Sequence, residues 1–170
     1  MRRFDPGESV KTNPRMEALL AEIRDDHLDD PKALPQKLLA LLTEGFVEEE
    51  DCVFFSRLKK ESHVQRLDFP DRTGYECFVN HVHVEDYLEN GGLPPLELLG
   101  RGMAFAHELA DRLRRLHGTR HFRIIVASDG GVSCTVRFHA VRHEEDWVGK
   151  NLNGYKEEAI AVLETQEVLP

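Results

Sequence analysis

Apolar and polar positions alternate most regularly in the last third of the chain. The segments 121–127 (HFRIIVA) and 132–141 (VSCTVRFHAV) are rich in β-branched and aromatic residues. Between them lies Ser128-Asp129-Gly130-Gly131, and Asp-Gly or Gly-Gly between two such runs predicts an antiparallel hairpin. The aliphatics Ala159, Ile160, Ala161 and Val162 predict a last strand after it. Ahead of the hairpin the period lengthens. After Asn90-Gly91-Gly92, Pro94-Pro95 opens a helix with Leu99, Gly102, Ala106, Leu109, Leu113 and Leu116 as its apolar stripe, ended by Gly118.

The first 45 residues read as helical. Asn13-Pro14 is an N-cap and first-turn pair, and Met16, Leu19, Leu20 and Ile23 follow at helical spacing until Asp29-Asp30-Pro31 interrupts. Pro35 starts a second helix with Leu38, Leu39, Leu41 and Leu42, and Gly45 is placed to end it. From 51 onward three strands are expected in meander order, at 51–58, 63–69 and 74–84. The fold class is therefore α+β: an antiparallel sheet of about six strands, one long helix packed on a face and an N-terminal helical hairpin. A single domain over residues 1–170 is expected, the hairpin at 1–45 and mixed sheet and helix at 46–170.

Composition narrows the classes of function. A chain of 170 residues buries enough surface to fold without disulfides or a structural metal. No apolar run reaches the roughly 20 residues of a membrane span, and Met-Arg-Arg-Phe-Asp-Pro-Gly-Glu has no apolar stretch after its arginines. A cytoplasmic protein that meets no membrane is the expectation. Cys52, Cys77 and Cys134 read as buried free thiols. Asp plus Glu number 31 against 22 Lys plus Arg, a formal net charge of −9. That balance argues against nucleic-acid binding, which needs a basic face, and favours a basic partner. The acids cluster at Glu22, Asp25, Asp26, Asp29 and Asp30, at Glu44 with Glu48, Glu49, Glu50 and Asp51, at Glu85, Asp86 and Glu89, and at Glu144, Glu145 and Asp146.

The sharpest candidate chemistry is His81-Val82-His83. Alternate residues on a strand share a face roughly 7 Å apart, so both imidazoles can reach one divalent ion such as zinc. A metal-dependent hydrolase would use that ion to lower the pKa of a bound water. The run resembles the HxHxDH of metallo-β-lactamase-type hydrolases, but Glu85 stands where those have Asp, and Asp86 where they have His. His139 and His143 are too far apart along a strand to share an ion. No phosphate loop, nucleophile elbow or HExxH helix is present.

The C-terminal segment carries a resemblance. It runs through a strand with Arg137, then Arg142, Glu144, Glu145, Asp146 and Trp147, a turn with Asn151, Asn153 and Gly154, then Tyr155 and a final aliphatic strand. This order is similar to the C-terminal quarter of small bacterial immunity proteins that neutralise polymorphic or contact-dependent toxins. The resemblance implies a noncatalytic, cytoplasmic inhibitor that blocks a basic toxin by direct contact and needs no cofactor. Its protein-binding residues would be Glu85, Asp86, Glu89, Glu144, Glu145, Asp146 and Trp147. The metal-dependent hydrolase at His81 and His83 is the alternative, and an α+β interaction scaffold is a third. A homodimer is compatible with each.

Overall fold

The computed structural model describes residues 8–23, 34–89 and 91–165. Its elements run β1 (Glu8–Thr12), α1 (Pro14–Glu22), α2 (Gln36–Thr43), β2 (Phe46–Glu49), β3 (Cys52–Phe55), α3 (Ser56–Glu61), α4 (Arg72–Val79), β4 (Val82–His83), α5 (Pro95–Leu116), β5 (Phe122–Ser128), β6 (Cys134–Ala140) and β7 (Ala159–Thr165). Five strands form one antiparallel sheet in the order β1-β7-β5-β6-β4, and β2 pairs with β3 in a separate hairpin. This is the expected α+β architecture.

The hairpin of β5 and β6 and the helix α5 form where the sequence pattern puts them. Ile124 pairs with Phe138 and Val126 with Val136, and this face of the sheet receives Leu99, Met103, Phe105, Ala106, Leu109 and Leu113 from α5. Gly102 marks the closest approach of helix to sheet, since a Cβ there would lie 2.4 Å from the Cys134 sulfur. Leu116, expected in the stripe, is exposed. The opposite face of the sheet is covered in part by Cys77 of α4 and by Val148 and Leu152, packed on Ile125, Ile160 and Val162.

The N-terminal region differs from its expected form. Its first described residues form a strand, β1, which lies at the edge of the sheet along β7. Short polar strands are common at sheet edges and carry little hydrophobic signal. Asn13 does cap α1, accepting from the Met16 amide at 3.0 Å. Fully buried, it also accepts from the Ile160 amide at 3.0 Å and donates to the carbonyls of Tyr155 at 2.9 Å and Glu158 at 2.8 Å. α1 ends at Glu22, and Asp25, Asp26, Asp29, Asp30 and Pro31 lie outside the described residues. α2 follows Pro35, and Gly45 after it has φ +79°. The two helices rest on different elements, α1 on β7 and α2 on α5 and the 3-10 turn Val84–Tyr87.

The expected three-strand meander is replaced. Residues 51–58 divide into β3 and the start of α3; 63–69 carries only a 3-10 turn, Arg66–Asp68; and 74–84 is mostly the helix α4. Asp71 caps α4 by accepting from the Gly74 amide at 2.6 Å. Tyr75, Cys77 and Val79 favour strands by propensity, yet the helix places Glu76 and Asn80 one turn apart. Both are fully buried between β3 and β6, whose facing edges do not pair with each other. Glu76 accepts from the amides of Val53 (2.7 Å) and Ala140 (2.9 Å) and from Arg142 Nη1 (2.7 Å). Asn80 accepts from the Phe55 amide (3.0 Å) and donates to the carbonyls of Val53 (2.8 Å) and Phe138 (3.2 Å). Two side chains thus do the work of a missing strand, because unpaired buried backbone groups would cost about as much as lost hydrogen bonds.

Two outcomes are expected. Glu76→Ala strands the Arg142 charge and two amides, so stability falls by about 3–5 kcal/mol, read as a lower urea midpoint at unchanged slope; an unchanged midpoint would refute the bridging role. The second concerns His139, fully buried, with Nδ1 2.8 Å from the Ala140 carbonyl oxygen. Burial, assisted by Arg123 and Arg142, pushes its pKa down to about 4. The unfolded chain then takes up this proton at higher pH than the folded one. The contribution is complete above about pH 6.5 and is lost as pH falls toward 4, by about 2–3 kcal/mol. Urea titrations at pH 7, 5.5 and 4.5 should show that decline, and His139→Gln should reduce it, leaving the share of His81, whose pKa burial also pushes down to about 4.

Candidate functional site

The acids expected to bind a partner fall into two places that the fold keeps apart. Glu85 lies in the 3-10 turn Val84–Tyr87 after β4. Its carboxylate accepts from the Ser133 hydroxyl and the Cys134 amide, both at 3.1 Å, and lies 3.3 Å from His83 Nδ1. Burial opposes its charge, but the Cys134 amide and the other donors outweigh it and hold the carboxyl below its ordinary range. Glu85 therefore fastens β4 to the start of β6, while Asp86 and Glu89 are exposed. Glu144, Glu145 and Asp146 follow the other end of β6, a strand of seven residues, or roughly 20 Å away.

The second group is divided as well. Glu145 accepts from the Thr73 amide (3.1 Å) and hydroxyl (3.0 Å) at the start of α4. Asp146 pairs with Arg123 at 2.7 Å, which also holds Glu164. Glu144 is exposed, in a left-handed conformation with φ 61°. Trp147 is 42% exposed, with the Arg137 guanidinium 5.0 Å from its ring centre.

The fold brings a different acidic segment beside this one. The β2–β3 turn puts Glu50 and Asp51 at φ 51° and 66°, where turns of this kind prefer Asn and Gly. Three arginines hold it. Arg72 Nε donates to the Glu50 carbonyl at 2.9 Å, Arg142 Nη2 to the Asp51 carbonyl at 2.6 Å, and Arg120 Nη2 to the Asp51 carboxylate at 2.6 Å. Arg72 and Thr73 are consecutive, so the first turn of α4 anchors both the 48–51 turn and the 143–146 turn. Beside them is an open groove of about 300 Å³ lined by Asp51, Thr119, Arg120, His121, Ala140, Val141 and Arg142. Reading along the chain shows the Glu48 to Asp51 acids as a cluster, but nothing in the spacing links them to Glu144.

His81 and His83 do come together, with ring centres 4.3 Å apart, and Val82 and Val84 are buried behind them as expected. Burial, then Arg137 and His83, push the His81 pKa down to about 4. Among the described residues no three His, Cys, Asp or Glu side chains are placed to hold a metal ion. His139 is buried and His143 exposed, so that pair is separate. Cys52, Cys77 and Cys134 are free and fully buried. Burial raises the first and last to about 12 and Cys77 further, which leaves them without thiolate character near neutral pH.

No helix among the described residues is long and apolar enough to cross a membrane. No solved structure matches the chain. A protein of Pasteurella multocida (strain Pm70), described as Uncharacterized protein PM0498, is 28% identical to it over 118 residues, which cover 64% of this chain and 70% of that protein. The model of the Uncharacterized protein PM0498 family matches residues 11–169, and the chain belongs to that family.

Proposed function

We propose that this protein is a noncatalytic binding protein whose paired acidic turns, 48–51 and 143–146, meet a basic protein partner. The observation that carries this reading is the clamping of non-glycine residues in left-handed conformations at both turns, beside one helix start. Such conformations cost on the order of 1–3 kcal/mol each and persist where surrounding contacts over-determine them, often at sites of function. Here Arg72 and Arg142 hold the 48–51 turn through the backbone carbonyls of Glu50 and Asp51, and the Glu145 carboxylate ties the 143–146 turn to Thr73, so the Glu50 and Glu144 side chains remain exposed. Exposed charge on a rigid frame speeds association and selects partners, with little ordering left to do on binding. Inhibition of a basic toxin, as the C-terminal resemblance implies, is one form that such binding takes.

The test is affinity capture from the native host with wild-type protein and two charge-reversal pairs. Glu50→Lys with Glu144→Lys should abolish retention of a basic partner in moderate salt, with a melting temperature within a few degrees of wild type. Asp86→Lys with Glu89→Lys, at the far end of β6, should retain it. Equal retention by both pairs, or no basic protein held by the wild type, would end this reading.

A further inference from the structure

We propose that His81, His83 and Arg137, gathered beside Trp147 on the sheet face opposite α5, form a binding site for a small oxyanion, a phosphate or carboxylate group. This proposal is independent of the acidic turns. The β4–β6 register places Val82 opposite Val136 and His83 opposite Thr135, which sets His81 across from Arg137. Val82 and Val136 are buried toward α5, so the two histidines, Thr135 and Arg137 share the other face. Directly opposed residues on neighbouring strands have Cβ atoms about 5 Å apart. A cationic fork and two imidazoles therefore lie within reach of one ligand.

The arginine is the unusual member. Arg120, Arg123 and Arg142 each hold a carboxylate at 2.6 or 2.7 Å. Among the described residues Arg137 has no such ion pair: its Nη1 donates to the Cys77 carbonyl at 3.1 Å, and its guanidinium carbon lies 5.0 Å from the centre of the Trp147 ring. Glu158 acts on it only at longer range, and burial lowers its pKa. A half-buried guanidinium without a counterion is costly, and an arriving oxyanion would offset that cost through paired N–H donors. Across the strand pair, His81 Nε2 is buried without a hydrogen-bond partner. His83 turns Nδ1 toward Glu85, leaving its Nε2 for a ligand. Glu85 is itself engaged by Ser133 and Cys134.

The same geometry bears on the metal alternative. A guanidinium directly across from His81 repels a divalent cation as it repels a proton, and it attracts an anion. Spacing along one strand identifies two ligands; the neighbouring strand decides which sign of charge they accept.

The chain has one tryptophan, and it touches the proposed site, so its fluorescence reports on occupancy. Protein is titrated with sodium phosphate, and separately with sodium acetate, at constant ionic strength made up with chloride. A saturable change in one titration, accompanied by a rise in melting temperature, is expected, and which salt produces it distinguishes a phosphate from a carboxylate ligand. Arg137→Gln should raise the dissociation constant about tenfold or more. Because Arg137 also packs, His83→Ala serves as the second variant: it should weaken binding several-fold with an unchanged far-UV spectrum. A response that follows ionic strength alone, titrations unchanged in both variants, or stoichiometric zinc lost in His81→Ala would overturn the proposal.

Discussion

The structure depends on a buried pair of polar side chains one helical turn apart. Glu76 and Asn80 satisfy the facing edges of β3 and β6, so the small hairpin attaches to the main sheet through side chains where backbone pairing is absent. Such an attachment is demanding. Each donor and acceptor must be matched, because a buried group left unmade costs about 1–3 kcal/mol. It is also directional, since an i, i+4 pair bridges two edges only if the helix axis runs along the gap between them. α4 is held to that course by its Asp71 cap, by Cys77 packed on Ile125 and by Tyr75, stacked on Phe69 and edge-on to Phe54.

The consequences reach the surface through Arg142. One nitrogen of its guanidinium holds Glu76 and another holds the Asp51 carbonyl, so a core carboxylate and a strained surface turn share one side chain. The start of the same helix takes Glu145 through Thr73. The acidic turns are therefore extensions of the core network, with their positions set from below. Rigid support of this kind lowers the ordering cost of any contact that the turns make.

The legible parts of this fold were those whose information is local. The β5–β6 hairpin and α5 follow from periodicity and turn residues over continuous stretches, and Asn13-Pro14 and Gly45 mark helix ends by their own backbone preferences. α4 was not legible, because Tyr75, Cys77, Phe78 and Val79 favour strands and the helix is selected by partners far along the chain, Val53, Phe138 and Ala140. β1 escaped because Ser9, Val10 and Lys11 offer one apolar residue in three, enough for an edge strand paired on one side with β7. At the candidate surface, Glu144 was visible as an exposed acid. Glu50 was visible as a member of an acidic cluster too, but its proximity to Glu144 was not, since that passes through Arg72, Thr73 and Arg142.

Net charge is a weak guide here because the acids have unequal freedom. Glu76, Glu85, Glu145 and Asp146 each neutralise or orient an internal donor, and what they contribute to the outer field is correspondingly reduced. Glu50 and Glu144 carry no such obligation to the core, although His143 lies 3.9 Å from Glu144 at the surface. The inverse holds on the sheet face: in a chain of net charge −9, Arg137 remains without a carboxylate beside two histidines. An acidic protein has ample means to neutralise one arginine. That it sets this one over its single tryptophan, with no carboxylate within ion-pair distance among the described residues, leaves a guanidinium uncompensated beside His81 and His83, and it is this local imbalance, not the sum over the molecule, on which the proposed anion site rests.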